Sequence, residues 1–195
     1  MNRKEEIVLA TLDLASEIGL DKVSLSMISD KVGIRKASLF NHFSNKEEII
    51  NEMYLFIREN AKKQVLDDYS IDYQQDAKTI LINGINKYKK MIQNPKLLRF
   101  YRIIYSQRSY SKEAGAIMSE ETSRMIKYNK YILNELCLHH KLKIDNLDYS
   151  AISFSLTIHG LIEDELDNKM INSSSSYSID KYIDYFCTIF KGEKQ

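Results

Sequence analysis

Four basic side chains lie between positions 31 and 46, in a segment that contains no Asp or Glu: Lys31, Arg35, Lys36 and Lys46. Ammonium and guanidinium groups bind the phosphates of nucleic acids, and in the major groove of DNA they also donate to acceptor atoms of the bases. Contact with nucleic acid is therefore the chemistry that these residue types indicate. From charge alone, the same residues could equally form a solvated helix surface. The predicted secondary structure around them distinguishes the two interpretations.

Helix start and stop signals predict two helices at the beginning of the chain. The inward side of the first consists of Ile7, Ala10, Leu14, Ala15 and Ile18. Gly19 can end that helix, Ser24 can cap the next through its side-chain oxygen, and Gly33 can end it. The inward side of the second helix consists of Leu25, Ile28 and Val32.

A turn and a very short helix are predicted next. The turn lies at Gly33 and Ile34, and the helix covers about residues 36–42, with Leu39 and Phe43 on its buried side. A turn followed by a short helix without acidic groups is the order that a helix-turn-helix needs in order to lay one helix on DNA.

The fourth helix begins at a predicted capping box and joins two parts of different composition. The Ser44 hydroxyl can accept from an amide three residues on, and Glu47 can reach back to the Ser44 amide. The helical pattern continues to about Leu66. All 13 Tyr follow residue 50, which indicates that the two parts have different tasks. We predict two domains, residues 1–46 and 47–195.

Five more helices are predicted in the second part, which gives about nine in all. Their approximate ranges are 76–92, 95–105, 112–140, 147–169 and 178–190, with Asn94 as the cap of the second and a flexible Ser-rich connection, 172–176, before the last. A single Pro and six Gly favour long helices over strands. The predicted fold is all-α: an N-terminal three-helix helix-turn-helix domain and a larger helical domain for ligand binding and dimerisation.

Whole-chain properties exclude several classes of protein. The chain has 195 residues, of which 44% are hydrophobic, and its formal charge of +1 favours no partner by bulk electrostatics. Cys137 and Cys187 fit neither zinc-ligand nor redox spacing. The sequence shows no signal peptide and no apolar run near the roughly 20 residues of a membrane span. We expect a soluble, cytoplasmic protein without a cofactor or a metal site.

The first fifty residues resemble the DNA-binding domain of the TetR (tetracycline-repressor-like) transcriptional regulators. The resemblance rests on the helix ending in Gly19, the Ser24-capped helix, Val32-Gly33-Ile34, the run Ser38-Leu39-Phe40-Asn41-His42-Phe43, and Lys46-Glu47. It covers about a quarter of the chain, and the remainder is similar in helix count and order. The resemblance implies a repressor that binds a palindromic operator as a homodimer and is released by a small, partly apolar effector.

Two residues depart from the family's pattern. Arg35 stands where family members usually have a small polar residue, so the first amides of the short helix are expected to be left for a phosphate. Phe40 stands where they usually have Tyr, whose hydroxyl, by resemblance, often touches a backbone phosphate. One positioning hydrogen bond, worth about 1 kcal/mol, is therefore expected to be missing.

Ten residues are predicted to contact DNA. Those expected at base edges in the major groove are Lys36, Ala37 and Ser38. Those placed by resemblance at bases or phosphates are Asn41 and His42. Phe40 is included because it stands at the position of the family's DNA-contacting Tyr. Those expected at phosphates are Ser24, Ser26, Arg35 and Lys46. Two alternatives stay open: Phe40 could be partly core, and His42 could be a hydrogen-bonded structural histidine.

Dimerisation is expected to be part of the function. A groove-contacting helix this short offers few contacts, whereas a two-fold dimer engages two half-sites about 34–36 Å apart. The resemblance places the dimer interface on the last two helices, whose broad faces are too apolar for a solvated surface. The expected interface residues are Ile152, Ser155, His159, Gly160, Ile162, Tyr182, Phe186 and Ile189. Alternatively, both helices merely cover the domain's own core.

Tyr and Met residues of the middle helices suit an amphipathic pocket with adaptable walls. The expected effector contacts are Tyr88, Tyr101, Tyr105, Met125 and Tyr128, unless these residues are plain core. We expect the fourth helix to transmit effector binding to the DNA-contacting helix, and a coupling of about 1–3 kcal/mol would suffice.

Two other functions remain open from the sequence. His159 and Glu163 stand four residues apart on one helical face, beside Asp164 and Glu165, and could hold a metal in a helical enzyme. No nucleophile and base pairing, phosphate loop or further ligand motif accompanies them, so we expect no enzyme. The chain could also be a helical protein-binding adaptor with a vestigial DNA-binding head.

Overall fold

A computed structural model describes residues 2–64, 71–92 and 95–192. The predicted all-α class is confirmed: these ranges contain nine α-helices and no β-strand. In chain order the elements are α1 (Arg3–Ile18), a 3₁₀ turn (Leu20–Lys22), α2 (Leu25–Val32), α3 (Lys36–Leu39), α4 (Lys46–Gln64), α5 (Ala77–Ile92), α6 (Pro95–Gln107), α7 (Lys112–Leu138), α8 (Leu147–Met170) and α9 (Ile179–Ile189). The predicted helix end at Leu66 and cap at Asn94 lie outside the described residues. No described helix combines the length and apolarity that crossing a membrane requires.

Side-chain caps start the first two helices, and a glycine ends the second. The Asn2 side chain accepts from the Glu5 backbone N–H at 2.9 Å, and the Glu5 carboxylate accepts from the Asn2 N–H at 3.0 Å. Ser24 Oγ accepts from the Met27 N–H at 3.2 Å, as predicted. Gly33 ends α2 with φ 72°, in the left-handed conformation that a glycine adopts at low cost.

The α3 helix is a single turn, shorter than the predicted range 36–42. Beyond Leu39 the backbone tightens, because the N–H groups of Asn41 and His42 donate to carbonyls three residues back, at 3.3 and 2.9 Å. Bonds of this spacing are of the 3₁₀ type, and the Phe43 N–H closes the turn by donating to the Leu39 carbonyl four residues back at 2.9 Å. The chain therefore leaves α3 early and reaches the start of α4 within a few residues.

The cap of α4 lies one residue later than predicted. Asn45 Oδ1, and not the Ser44 hydroxyl, accepts from the Glu48 N–H at 2.8 Å. Glu48, and not Glu47, reaches back and accepts from the Ser44 N–H at 2.6 Å. Asn and Ser are equally good caps, so the Ser-Asn pair offers two possible starts, and the structure uses the second.

The described chain packs into two compact units. The first lies within Met1–Asp68 and Ile92–Ser119 and holds α1 to α4, α6 and the first turns of α7. The second lies within Tyr69–Met91 and Glu120–Gln195 and holds α5, the rest of α7, α8 and α9. The predicted boundary at residue 46 divides the chain by task and stays a prediction.

One apolar core holds the helices of the first unit together. Its buried side chains include Ile7, Leu12, Ile28, Leu39, Phe43, Ile49 and Met53. They come from α1, α2, α3 and α4 and from the turn after α3, so these elements share a single core. The α6 helix packs on α1 and α4, where the rings of Phe56 and Phe100 meet edge to face with centroids 6.3 Å apart.

In the second unit, α8 packs on α9 and α7. Phe154 of α8 and Phe186 of α9 are both buried, with ring centroids 4.8 Å apart. Ser155 Oγ accepts from Asn129 Nδ2 of α7 at 2.9 Å, which satisfies a buried hydroxyl. One face of α8 is therefore buried in the interior of its own unit.

Gly33→Ala is expected to lower the free energy of unfolding by about 1 kcal/mol, because a Cβ makes the φ of 72° costly although the space around it is open. The matched control is Gly84→Ala in α5, where space is equally open and the φ is not positive. That substitution should raise the free energy of unfolding by about 0.5–1 kcal/mol. Urea unfolding measures both, and equal effects would contradict the role given to Gly33.

Candidate nucleic-acid interface

Two buried side chains fix the position of α3. Leu39 is 1% exposed and Phe43 is 3% exposed, and both lie on the side that the sequence predicts to be buried. The α3 helix also packs against α2. A single helical turn has too few hydrogen bonds of its own to be stable. The contacts of these two side chains therefore determine where α3 lies.

Around Leu39, the other residues of α3 and of its flanking turns reach solvent. Its exposed residues are Arg35, Lys36, Ala37, Phe40 and Asn41, and its half-buried residues are Ser38 and His42. We call these seven residues the α3 surface. Phe40 is 53% exposed, so it is not a core residue. Seven of the ten residues predicted to contact DNA thus lie together on one small surface.

The positive charge of the α3 surface comes from Arg35 and Lys36. Neither forms an ion pair with a carboxylate in the part of the chain that the structure describes. Lys31, by contrast, lies 3.5 Å from Glu17. No side chain caps the first amides of α3. The two unpaired cations are therefore the ones best placed to meet an anion.

Ser24 and Ser26 lie exposed at the start of α2. The Ser24 hydroxyl accepts from the Met27 N–H, and its own O–H remains able to donate. The Ser26 carbonyl accepts from the Ser29 hydroxyl at 2.8 Å, a bond that leaves the Ser26 side chain unused. Both hydroxyls can therefore donate to an oxygen acceptor such as a phosphate.

Lys46 has a partner that the sequence analysis did not predict. Its Nζ donates to the backbone carbonyl oxygen of Leu20, in the 3₁₀ turn, at 3.3 Å. An ammonium group has three donors, so this bond leaves others for the phosphate contact expected of Lys46. The bond joins residues 26 positions apart, so no local sequence pattern predicts it.

Lys4 is a cation close to α3 that the sequence analysis missed. Its Nζ lies 5.2 Å from the centroid of the Phe43 ring, which is within range of a cation–π interaction. Hydrogen bonds from Ser44 are the main reason why the pKa of Glu48 lies below its ordinary value, and the charge of Lys4 adds to this effect. The first turn of α1 thus reaches the junction of α3 and α4.

Polar contacts join α6 to the region around α1. Arg99 Nη1 lies 3.9 Å from Asp13 Oδ1, and Gln107 Nε2 donates to Asp21 Oδ1 at 3.4 Å. These groups are solvent-exposed or nearly so, and exposed pairs of this kind contribute little stability. These contacts help to position α6, because they connect it to the first helix and to the turn that follows that helix.

The five predicted effector contacts fall in different compact units. Tyr101 and Tyr105 belong to the first, where their ring centroids are 5.6 Å apart and the Arg108 guanidinium lies 3.8 Å from the Tyr105 centroid. The members in the second unit are Tyr88, Met125 and Tyr128, all half-buried. Burial, with smaller contributions from two nearby glutamates, raises the pKa of Tyr88 to about 12, so its hydroxyl remains a neutral donor.

A polar cleft of about 290 Å³ opens in the second unit, and none of the five predicted effector contacts lines it. Its lining residues are Lys89, Glu165, Ser175, Tyr177, Ser178, Ile179 and Asp180. Lys89 Nζ binds both carboxylate oxygens of Glu165, at 2.7 and 2.9 Å. These two of the charges that line the cleft therefore neutralise each other.

The residues predicted at the dimer interface occupy both faces of α8 and α9. Those buried inside the protomer are Ser155, Ile162 and Phe186, those half-buried are His159 and Tyr182, and those exposed are Ile152, Gly160 and Ile189. The three buried residues lie in the interior of their own protomer, as the alternative interpretation of these helices expects. Helix α8 is apolar on both faces, so the sequence alone could not separate its inner from its outer positions.

The residues considered for a metal site do not form one within the described chain. His159 Nε2 lies 3.4 Å from Glu163 Oε1, so two of the four candidate metal ligands are close together. No group of three His, Cys, Asp or Glu side chains suited to a metal ion occurs among the described residues. Asp164 instead accepts hydrogen bonds from Asn168 and Ser175.

Comparison with known proteins points to one family. Residues 7–53 match the family model described as "Bacterial regulatory proteins, tetR family". A "Probable acrEF/envCD operon repressor" of Escherichia coli is 22% identical over 180 residues, which span 88% of this chain and 78% of that protein. The biofilm operon icaADBC HTH-type negative transcriptional regulator IcaR of Staphylococcus epidermidis is 37% identical over 73 residues, or 35% of this chain and 40% of that protein.

The fold also has solved relatives. The crystal structure of a TetR-family transcriptional regulator from Mesorhizobium loti superposes with a TM-score of 0.67 over 98% of this chain and all of that chain, at 17% identity. Identity this low shows a shared fold and nothing finer. The matched segment contains most of α1, all of α2 and α3, and the start of α4, which are the elements that build and hold the α3 surface. Residues 7–53 therefore match the TetR family of bacterial regulatory proteins, and the described chain shares the fold of a TetR-family regulator.

Proposed function

We propose that this regulator is a repressor that binds a palindromic operator as a homodimer and is released by a small-molecule effector. The observation that carries the proposal is the α3 surface, on which Arg35 and Lys36 stand exposed without a carboxylate partner among the described residues. Two curated relatives are named as repressors or negative regulators of operons, which supports the sign of regulation. Base contacts would come from the first residues of α3, and phosphate contacts from the hydroxyls and cations around it.

The exposed face of α8 supports the dimer. Tyr149 is 72% exposed, Ile152 37% and Leu156 48%, and they lie on one side of the helix together with Gly160. We call these four residues the α8 stripe. On α9, Tyr185 and Ile189 are exposed as well. A second copy of the chain would cover these apolar side chains, and a glycine in the stripe permits close approach of two helices.

Contacts at the start of α4 support transmission of the effector signal. Lys46 is the first residue of α4, and its bond to Leu20 connects that helix to the turn before α2. A displacement of α4 would therefore move the elements that carry the α3 surface. In a dimer, this motion would change the separation of the two α3 helices and so the affinity for paired half-sites.

Lys36→Ala should weaken binding to the selected operator by about 1–3 kcal/mol and binding to random DNA much less, because Lys36 is expected to contact a base. The matched control is Lys31→Ala, which removes the same charge from a lysine that lies beside Glu17. Gel-shift titrations on both duplexes measure the difference. Equal losses on operator and random DNA would show that Lys36 contacts a phosphate instead.

Leu156→Glu should convert the dimer to a monomer, because it places a charge in the α8 stripe. Light scattering after size exclusion measures the mass. The matched control is Leu55→Glu on α4, since Leu55 is 51% exposed and lies outside the stripe. A mass that stays dimeric with Leu156→Glu, or that falls equally with both variants, would contradict this interface.

A thermal-shift screen identifies compounds that stabilise the protein. At saturation, the effector among them should reduce operator affinity by about 5- to 150-fold, which corresponds to a coupling of 1–3 kcal/mol. Tyr88→Phe tests the predicted effector contact of Tyr88. It removes one hydroxyl donor and little volume, so it should weaken the binding of that compound. If saturation with every such ligand leaves operator affinity unchanged, the release mechanism is wrong.

A further inference from the structure

Phe40 is a large apolar side chain placed on a polar surface. It is 53% exposed, and its backbone has helical angles of φ −68° and ψ −13°, so it lies one turn after Ala37 on the same side of α3. Ala37 is exposed too. Together they form a small apolar patch at the middle of the α3 surface.

The protein's own packing does not account for this patch. Leu39 and Phe43 already fill the buried side of α3. Within the described chain, the Phe40 ring has no aromatic or cationic neighbour. Arg35 and Lys36 flank the patch, and a partner of negative charge would be held against them with its apolar groups facing the ring.

The major groove offers one apolar group that is specific to a base. Thymine carries a methyl group at C5, whereas the other base edges present hydrogen-bond donors and acceptors. A phenyl ring neither donates nor accepts a conventional hydrogen bond, so it cannot recognise those polar patterns. The apolar chemistry of Phe40 and Ala37 therefore fits the methyl group of thymine.

We propose that Phe40, with Ala37, determines part of the operator sequence by packing on a thymine methyl group in each half-site. This inference rests on the proposed function, because it requires the α3 surface to enter the major groove. It assigns to Phe40 a contact with a base. The phosphate contact that the resemblance attributes to Tyr at this position needs a hydroxyl, which Phe40 lacks.

The test removes single methyl groups from the DNA and leaves the protein unchanged. The probe is the duplex enriched from a random library by the full-length protein, with each thymine replaced in turn by deoxyuridine. Replacement at one position of a half-site should weaken binding about fourfold, the effect expected for one buried methyl group. The same replacement in the flanking sequence is the control and should change nothing.

Protein variants then locate the contact. Phe40→Ala should bind the thymine and deoxyuridine duplexes equally, whereas Phe40→Tyr, which keeps the ring, should retain the fourfold difference. If no thymine position is sensitive, or if Phe40→Ala keeps the wild-type sensitivity, this inference is overturned while the proposed function stands. If the library yields no enriched sequence, the proposed function fails and this inference fails with it.

Discussion

The burial of Leu39 and Phe43 is the interaction on which the α3 surface depends. Each of these side chains is almost fully buried, and burial of a Leu or Phe contributes about 1.5–3 kcal/mol. A helix of one turn gains almost nothing from its own backbone bonds. Tertiary packing therefore decides where α3 lies and which side chains it leaves in solvent. The exposed cations, the exposed ring and the polar residues of the α3 surface all follow from that one constraint.

The same packing joins the start of α4 to the elements that carry the α3 surface. Ile49 and Met53 lie in the core that contains Leu39 and Phe43, and Lys46 bonds to the carbonyl of Leu20. A helix held in this way cannot shift at its first turns without disturbing its neighbours, because protein cores are close-packed. This is the physical basis for proposing that effector binding reaches the DNA through α4. The contacts of α6 with Asp13 and Asp21 offer a second connection to the same elements.

Local chemistry explains why much of this region could be predicted from the sequence. Ser24 as a cap, Gly33 as a stop and the pair Leu39 and Phe43 as anchors each depend on neighbouring residues and on helical spacing. The cap of α4 was placed one residue too early, because Ser44 and Asn45 are equally suited to the role. Local rules give the type of an element more reliably than its first residue.

Contacts between distant positions could not be predicted in the same way. The bond between Lys46 and Leu20 and the approach of Lys4 to Phe43 depend on how helices pack, which no spacing encodes. The interface residues show a related limit. Helix α8 is apolar on both sides, and the inner position of Ser155 became clear only from its bond to Asn129. Periodicity identifies an apolar face, but it does not say whether the same chain or a second copy covers it.

The central claim is that two copies of the α3 surface face one side of a duplex and occupy adjacent major grooves. Hydroxyl-radical footprinting on the selected operator tests it most directly. The account predicts two protected windows related by two-fold symmetry, centred about 10–10.5 base pairs apart, one helical turn. A single protected window, or uniform protection without a preferred position, would contradict it.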